Sequence, residues 1–301
     1  MSDTKQIMGK AAASGILIPA FNVAHLPMTE PIIRAVKDCG SFTLVEVSRV
    51  DWEKFGAESY AAVADEYKKY DNGGHKRLHL DHVPVIDEDG QKVDYRSIID
   101  DAIGKGYESV MIDGSRLSLD DNISVTREMA DLAHSKDVSI EAELGAVLGH
   151  EAGPPPPYEE LFSTGKGFTK TDEAQRFVEE AQCDFLSVAI GNIHGAVSDS
   201  LKGQKKPEAR LKIDHLKKLR EVTGIPLVLH GGSGVQQKYV LEAAQNGIAK
   251  VNVGTEIRQA YEEVIDAGGT TEEAAQAVYE RVCRMMKEYY KIEGTYNRLF
   301  G

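Results

Sequence analysis

Eight times along the chain, a short run of apolar, often β-branched residues gives way to a polar or glycine-containing turn, then to a stretch whose apolar positions have helical spacing. The expected strands are Ile16–Val23, Phe42–Val47, Arg77–Val83, Ser109–Ser115, Val138–Leu144, Phe185–Gly191, Pro226–Gly232 and Lys250–Gly254. Expected helices are Met28–Asp38, Ala57–Tyr70, Asp94–Lys105, Leu119–Ser135, Thr171–Ala181, Ile213–Thr223, Gln236–Asn246 and Thr255–Asp266, with a ninth over Glu272–Ile292. Gly40, Gly106, Gly224 and Gly247 close four of them. Strands alternating with helices favour parallel pairing through right-handed crossovers, and continuously apolar strands such as SVMID (109–113) and PLVLH (226–230) suit a sheet covered on both faces. The expected fold is α/β, a (β/α)8 TIM barrel forming a single domain over residues 1–301, with a C-terminal helical extension from about 270. The competing open, doubly wound sheet lacks the GxGxxG turn that should follow its first strand.

The formal charge is −13, from 35 Lys+Arg against 48 Asp+Glu, which argues against binding to nucleic acid or an anionic membrane surface. Any phosphate must be gripped locally. Cys39, Cys183 and Cys283 are widely spaced and fit neither a disulfide framework nor a thiolate metal site. No apolar run approaches the ~20 residues of a membrane span, and the first ten residues lack the apolar segment of a secretion signal, so a cytoplasmic protein is expected. The longest connection, from about Ala146 to Lys170, holds Pro154–Pro157 and is expected to be a binding loop or lid without regular structure.

In a barrel, chemistry collects where strands feed into the following loops. Those ends carry Asp81-His82, Asp113, Glu143, His194, His230 and Asn252 to Thr255. Three imidazoles converging on one mouth point to a divalent metal, since three His ligands and an open position make a catalytic zinc arrangement. Asp81 either orients a ligand imidazole or moves a proton beside the substrate. His79 shares a strand face with Asp81 and is expected to pack inside the barrel. The segments 230–234 (HGGSG) and 252–255 (NVGT) place backbone N–H groups after the seventh and eighth strands, the position of phosphate cradles in barrels.

With PAFNV (19–23), HLDH (79–82), MIDGS (111–115), EAELG (141–145), VAIGNIHG (188–195), LVLHGGSG (227–234) and KVNVGTE (250–256), the chain resembles the class II, metal-dependent fructose-bisphosphate and tagatose-bisphosphate aldolases over roughly 16–263. The resemblance implies a lyase that makes or cleaves a ketose phosphate through a dihydroxyacetone phosphate enediolate. His82, His194 and His230 would hold Zn2+ or another divalent cation, and Asp113 and Glu143 a possible second cation. Asp81 would transfer the proton at the hydroxyl of the aldehyde-derived half, and Glu151, in the long loop, would remove the carbon-bound proton. Gly195, Gly231, Gly232, Ser233, Asn252, Gly254 and Thr255 would bind the phosphate-bearing triose, and Ser48 keeps the family's small hydroxyl. Val278, Val282, Met285, Met286 and Tyr289 on the last helix have helical spacing and are expected to pack against the barrel, yet relatives pair through such helices, so the resemblance implies a homodimer or homotetramer.

Three departures bear on the substrate. The sixth-strand histidine is followed by HGAVSDSLKGQKKPE (194–208), so the lysine usual after it would come from Lys202, Lys205 or Lys206. Glu46 stands where many relatives carry a neutral residue facing the barrel mouth; there it would repel a second phosphate and welcome a hydroxyl-rich or cationic group. Val85–Val93 is longer than the expected turn and reads as an acidic surface hairpin in preference to a substrate-contacting insert. Fructose 1,6-bisphosphate is the first candidate substrate. Two rivals remain open: a metal-dependent sugar-phosphate isomerase or epimerase, and a non-catalytic sugar-phosphate binding protein.

Overall fold

Eight parallel strands close on one another in chain order. The computed structural model describes residues 3–71, 73–145, 158–192, 209–232 and 234–301. The strands are β1 (Ile18–Asn22), β2 (Thr43–Ser48), β3 (Lys76–Pro84), β4 (Ser109–Asp113), β5 (Ser139–Leu144), β6 (Phe185–Val188), β7 (Leu227–Leu229) and β8 (Ile248–Val253), with β8 pairing back onto β1. All eight fall inside or within two residues of the expected runs. The intervening helices include α2 (Thr29–Asp38), α4 (Tyr60–Lys68), α5 (Tyr95–Gly104), α6 (Leu119–His134), α8 (Thr171–Ala181), α9 (Ile213–Thr223), α10 (Gln237–Gln245) and α11 (Thr255–Asp266).

The period-two alternation of the strands divides their side chains between two environments. Outward residues such as Phe21, Val45, Leu78, Leu80, Val110, Ile112, Ile140, Ala142, Leu186 and Val251 pack beneath the helices in the main core. The alternate residues point into the barrel. Toward its N-terminal end these are apolar (Ile18, Ala20, Leu44, Phe185, Val228), and with Ile7, Met8 and Leu299 they form a second cluster. Higher up they are Glu46, His79, Asp81, Glu141, Ser187, His230 and Lys250, all buried. A polar interior of this kind survives only if its groups pair with one another.

Four segments differ from the sequence expectation. Thr4–Ser14 forms α1, capped by the Asp3 side chain on the Gln6 N–H and closed by Gly15 at φ 61°; it seals the apolar end of the barrel with α13 (Tyr296–Phe300). The helical signal of α1 was hidden by its weakly amphipathic, alanine-rich sequence. Arg49–Lys54 forms α3 directly after β2, started by a reciprocal capping box between Ser48 and Asp51. Within the long connection, Tyr158–Thr164 is helical (α7), which corrects the reading of that span as free of regular structure. The ninth helix is Thr271–Arg284 (α12); a π-type turn over Met285–Tyr289 ends it, with the Tyr290 N–H donating to the Met285 carbonyl.

Val278, Val282 and Met286 on this last helical stretch are fully buried in the chain's own core. That stripe is used up internally. Val85–Val93 is the expected hairpin, with an antiparallel bridge between Ile86 and Lys92, but it lies against α3 through Arg49–Asp87 and Lys54–Glu88 ion pairs. Among the described residues no helix is long and apolar enough to cross a membrane.

Candidate active site

The ladder between β3 and β4 loses register between Leu80 and Val83, and His82 takes φ 32°, a left-handed angle that a histidine adopts only where its surroundings hold it. This irregularity resolves a geometric problem in HLDH. A regular strand would send adjacent side chains to opposite faces; here Asp81 stays inside the barrel while His82 swings into the mouth.

There His82 Nε2 lies 2.6 Å from His230 Nδ1, and the two rings meet edge to face, 82° apart. Each ring is steadied on its far side. His82 Nδ1 is 3.1 Å from Asp113 Oδ2, and Asp113 Oδ1 accepts from the Ser115 N–H and hydroxyl. His230 Nε2 is 2.7 Å from Glu141 Oε1. Carboxylates that grip the outer nitrogen of an imidazole set its tautomer and aim the inner nitrogen, as around metal ions. Glu143 Oε2 lies 3.8 Å from His82 Nδ1 and 3.6 Å from His230 Nδ1, and is buried without a hydrogen-bond partner.

Two residue groups here have the ligand types and mutual reach to hold a cation: Asp81, His82 and His230, and His82, Asp113 and Glu143. The two sets share His82 and adjoin. The buried, unpartnered Glu143 oxygen and the paired imidazole nitrogens fit a divalent ion better than they fit each other. A third group of suitable type, Glu46, His79 and Asp81, surrounds a cation the chain already supplies, the ammonium of Lys250.

Asp81 is held from both sides. Asn252 donates to Oδ1 at 2.8 Å and Asn22 to Oδ2 at 3.0 Å. The Asn22 amide also reaches Asp51 at 3.3 Å, and Asp51 accepts from the N–H and hydroxyl of Ser48. Burial alone would push the Asp81 carboxyl up, but the positive charge available at His82 and Lys250 holds it well below the usual carboxylate range. Asp81 is ionised. Burial acts on Glu141 in the same way, and Lys250 and His230 overcome it, bringing Glu141 down to about 2. For Glu143, burial and the Asp113 charge act together and raise it to about 8. Burial and the neighbouring Lys250 keep His79 neutral, down to about 3; its Nδ1 meets the Ser109 hydroxyl inside the barrel, as expected of a packing histidine.

At the end of β7, Gly231 has φ 63°, and a Cβ on Gly232 would lie 2.5 Å from the Val251 side chain, so the backbone turns there against β8. Gly254 precedes the first residue of α11, Thr255, beside Asn252. The two glycine segments therefore stand on adjacent strands at the mouth. Glu151, His194, Gly195, Ser233, Lys202, Lys205 and Lys206 lie outside the described residues.

Glu46 requires a correction. It is fully buried, with Oε2 3.2 Å from Lys250 Nζ, rather than facing the mouth. Residue 46 is two positions below the strand end, so its side chain points into the interior layer shared with His79 and Lys250. Sequence reasoning passed over Asn22, Asp51, Glu141 and Lys250. The period-two pairs Glu141/Glu143 and Lys250/Asn252 were the available signal, since partners two apart on a strand share a face.

The family described as fructose-bisphosphate aldolase class-II matches residues 2–298. The chain is 31% identical over 298 residues to a 6-phospho-5-dehydro-2-deoxy-D-gluconate aldolase of Halalkalibacterium halodurans, covering 95% of this chain and 94% of that one. It is 32% identical over 279 residues to a fructose-bisphosphate aldolase of Streptococcus pyogenes, covering 90% and 84%. Among solved structures, the YdjI aldolase of Escherichia coli K12 superposes with a TM-score of 0.76 at 26% identity, covering 98% of this chain and 99% of that one.

Proposed function

The chain belongs to the class II fructose-bisphosphate aldolase family, a family of carbon–carbon lyases, and from that premise we propose a metal-dependent aldolase that cleaves or forms a ketose phosphate with dihydroxyacetone phosphate as the nucleophilic half. The observation that carries this reading is the meeting of His82 and His230, each aimed from behind by a carboxylate, beside Asp81, whose two oxygens are held by Asn22 and Asn252. His82 and His230, with His194, would hold the ion, zinc being the first to test; Asp113 and Glu143 would take a second cation. When bound, the ion supplies Lewis-acid polarisation of the ketone and stabilises the enediolate.

The remaining work falls to the protein's own groups. In cleavage, Asp81 accepts the proton of the hydroxyl on the aldehyde-derived carbon as the C–C bond breaks, and in synthesis it returns that proton. Asn22 and Asn252 fix both oxygens of Asp81, so its lone pairs are presented in one geometry. Glu151 moves the proton at the dihydroxyacetone phosphate carbon. Gly195, Gly231, Gly232, Ser233, Asn252, Gly254 and Thr255 would bind the phosphate-bearing triose, the turns after β7 and β8 offering backbone N–H groups, and Ser48 would add its hydroxyl to the substrate site.

Because Glu46 is neutralised inside the barrel, it gives no argument against a second phosphate, and fructose 1,6-bisphosphate stays the first substrate to test. The name of the Halalkalibacterium relative makes 6-phospho-5-dehydro-2-deoxy-D-gluconate the second. A homodimer or homotetramer in the cytoplasm is the proposed setting. Coupling triose formation to a dehydrogenase tests the reading: dihydroxyacetone phosphate should appear in step with substrate loss, whereas substrate turnover without triose would support an isomerase instead.

A further inference from the structure

Lys250 carries a charge into the barrel interior, and it is fully buried. An ammonium in that position is costly unless carboxylates surround it. Its Nζ lies 2.9 Å from Glu141 Oε2, 3.2 Å from Glu46 Oε2 and 4.0 Å from Asp81 Oδ1. Glu141 is the branch point, because its other oxygen, Oε1, is the one that meets His230 Nε2 at 2.7 Å. One carboxylate thus joins the lysine of β8 to the histidine of β7.

Resting on the proposed metal-dependent reading, we infer that Lys250 is a positioning residue for the metal site: by anchoring one oxygen of Glu141 it holds the other against His230 Nε2, which keeps the proton on Nε2 and leaves Nδ1 to face the ion. Two anchors fix the plane of a carboxylate; one leaves it free to rotate about its last bond. Without Lys250, Glu141 turns toward whatever polar group relieves it, and the grip on His230 loosens. Glu46 is farther from the ammonium than Glu141 and, among the described residues, makes no hydrogen bond to an imidazole in the mouth, so it serves as the counter-charge that keeps Lys250 in place. Removing a carboxylate that orients a metal-bound histidine weakens metal binding by about 10–100-fold, and a group acting through that carboxylate falls at the lower end of that range.

The test is a double-mutant cycle on zinc affinity, read by chelator competition with Zn2+ alone, using the full chain, Lys250→Met, Glu141→Gln and the double variant, with folding followed by circular dichroism. If Lys250→Met does not fold, Glu46→Gln/Lys250→Met, which removes one uncompensated carboxylate, carries the same measurement against Glu46→Gln. The expected result is about tenfold weaker zinc binding for the lysine variant and no further loss when it is combined with Glu141→Gln. Unchanged affinity, or losses that multiply in the double variant, overturns the role of Lys250 and leaves the aldolase reading standing. A wild-type chain that binds no stoichiometric zinc overturns the metal reading itself and this inference with it.

Discussion

His82 and His230 are 148 residues apart in the chain, yet Nε2 of one lies 2.6 Å from Nδ1 of the other. Strands β3 and β7 bring them together, and Asp113 and Glu141 keep both rings pointed inward.

Replacing His230 with Ala should abolish stoichiometric divalent-metal binding and lower kcat by at least about 10³-fold, on the scale of losing an electrostatic stabiliser of the developing charge. Glu141 would lose a buried partner, so a stability loss of about 1–3 kcal/mol is expected with the barrel intact. Metal analysis after dialysis, with circular dichroism and thermal melting, reads both effects. A variant that keeps one tightly bound ion per chain would remove His230 from the ligand set.

Asp81→Ala should behave differently. The ion should remain, because its imidazole ligands are untouched, while kcat falls by about 10²–10⁴-fold, the usual worth of a positioned proton-transfer group. Metal content and steady-state cleavage rates measured on the same preparation separate the two effects. Loss of metal in step with activity would make Asp81 a ligand.

Glu151→Ala should suppress exchange of the carbon-bound proton of dihydroxyacetone phosphate with solvent and spare metal content. Deuterium incorporation followed by NMR is the measurement; full exchange in the variant would move the base to another residue.

A pH effect should arise away from the mouth. Lys76, at the start of β3, donates to the Tyr67 carbonyl at 2.6 Å and lies over the Tyr67 ring, and burial lowers its ammonium to about 8. Between about pH 8 and the ordinary lysine value of 10.5 the unfolded chain binds more protons at this residue than the folded one, so stability rises with pH across that window. Relative to Lys76→Met, the wild-type Tm should therefore improve from pH 8 to 10.5. A difference that stays flat over that range would contradict the shift.

The strand runs and their order were legible because a barrel strand must be apolar on its outward face, and that demand marks all eight. Short helices such as α1 and α3 were not, since capping and tertiary contact, more than their own periodicity, hold them. At the site, His82, His230, Asp81 and Asp113 could be picked out as chemistry-bearing residues at strand ends. Lys250 and Glu141 could not, because a charged residue inside a strand reads as an exception until its partner, 109 residues away, is in view. Glu46 was misplaced for the same reason.

Metal dependence of bond cleavage is the most direct test of the whole site. The purified chain would be stripped with a chelator, assayed for proton exchange and triose release with dihydroxyacetone phosphate and fructose 1,6-bisphosphate, then assayed again after zinc is restored. A site built on His82 and His230 predicts loss of exchange on stripping and its return at about one equivalent of zinc per chain. Exchange that continues undiminished in the metal-free protein would contradict it.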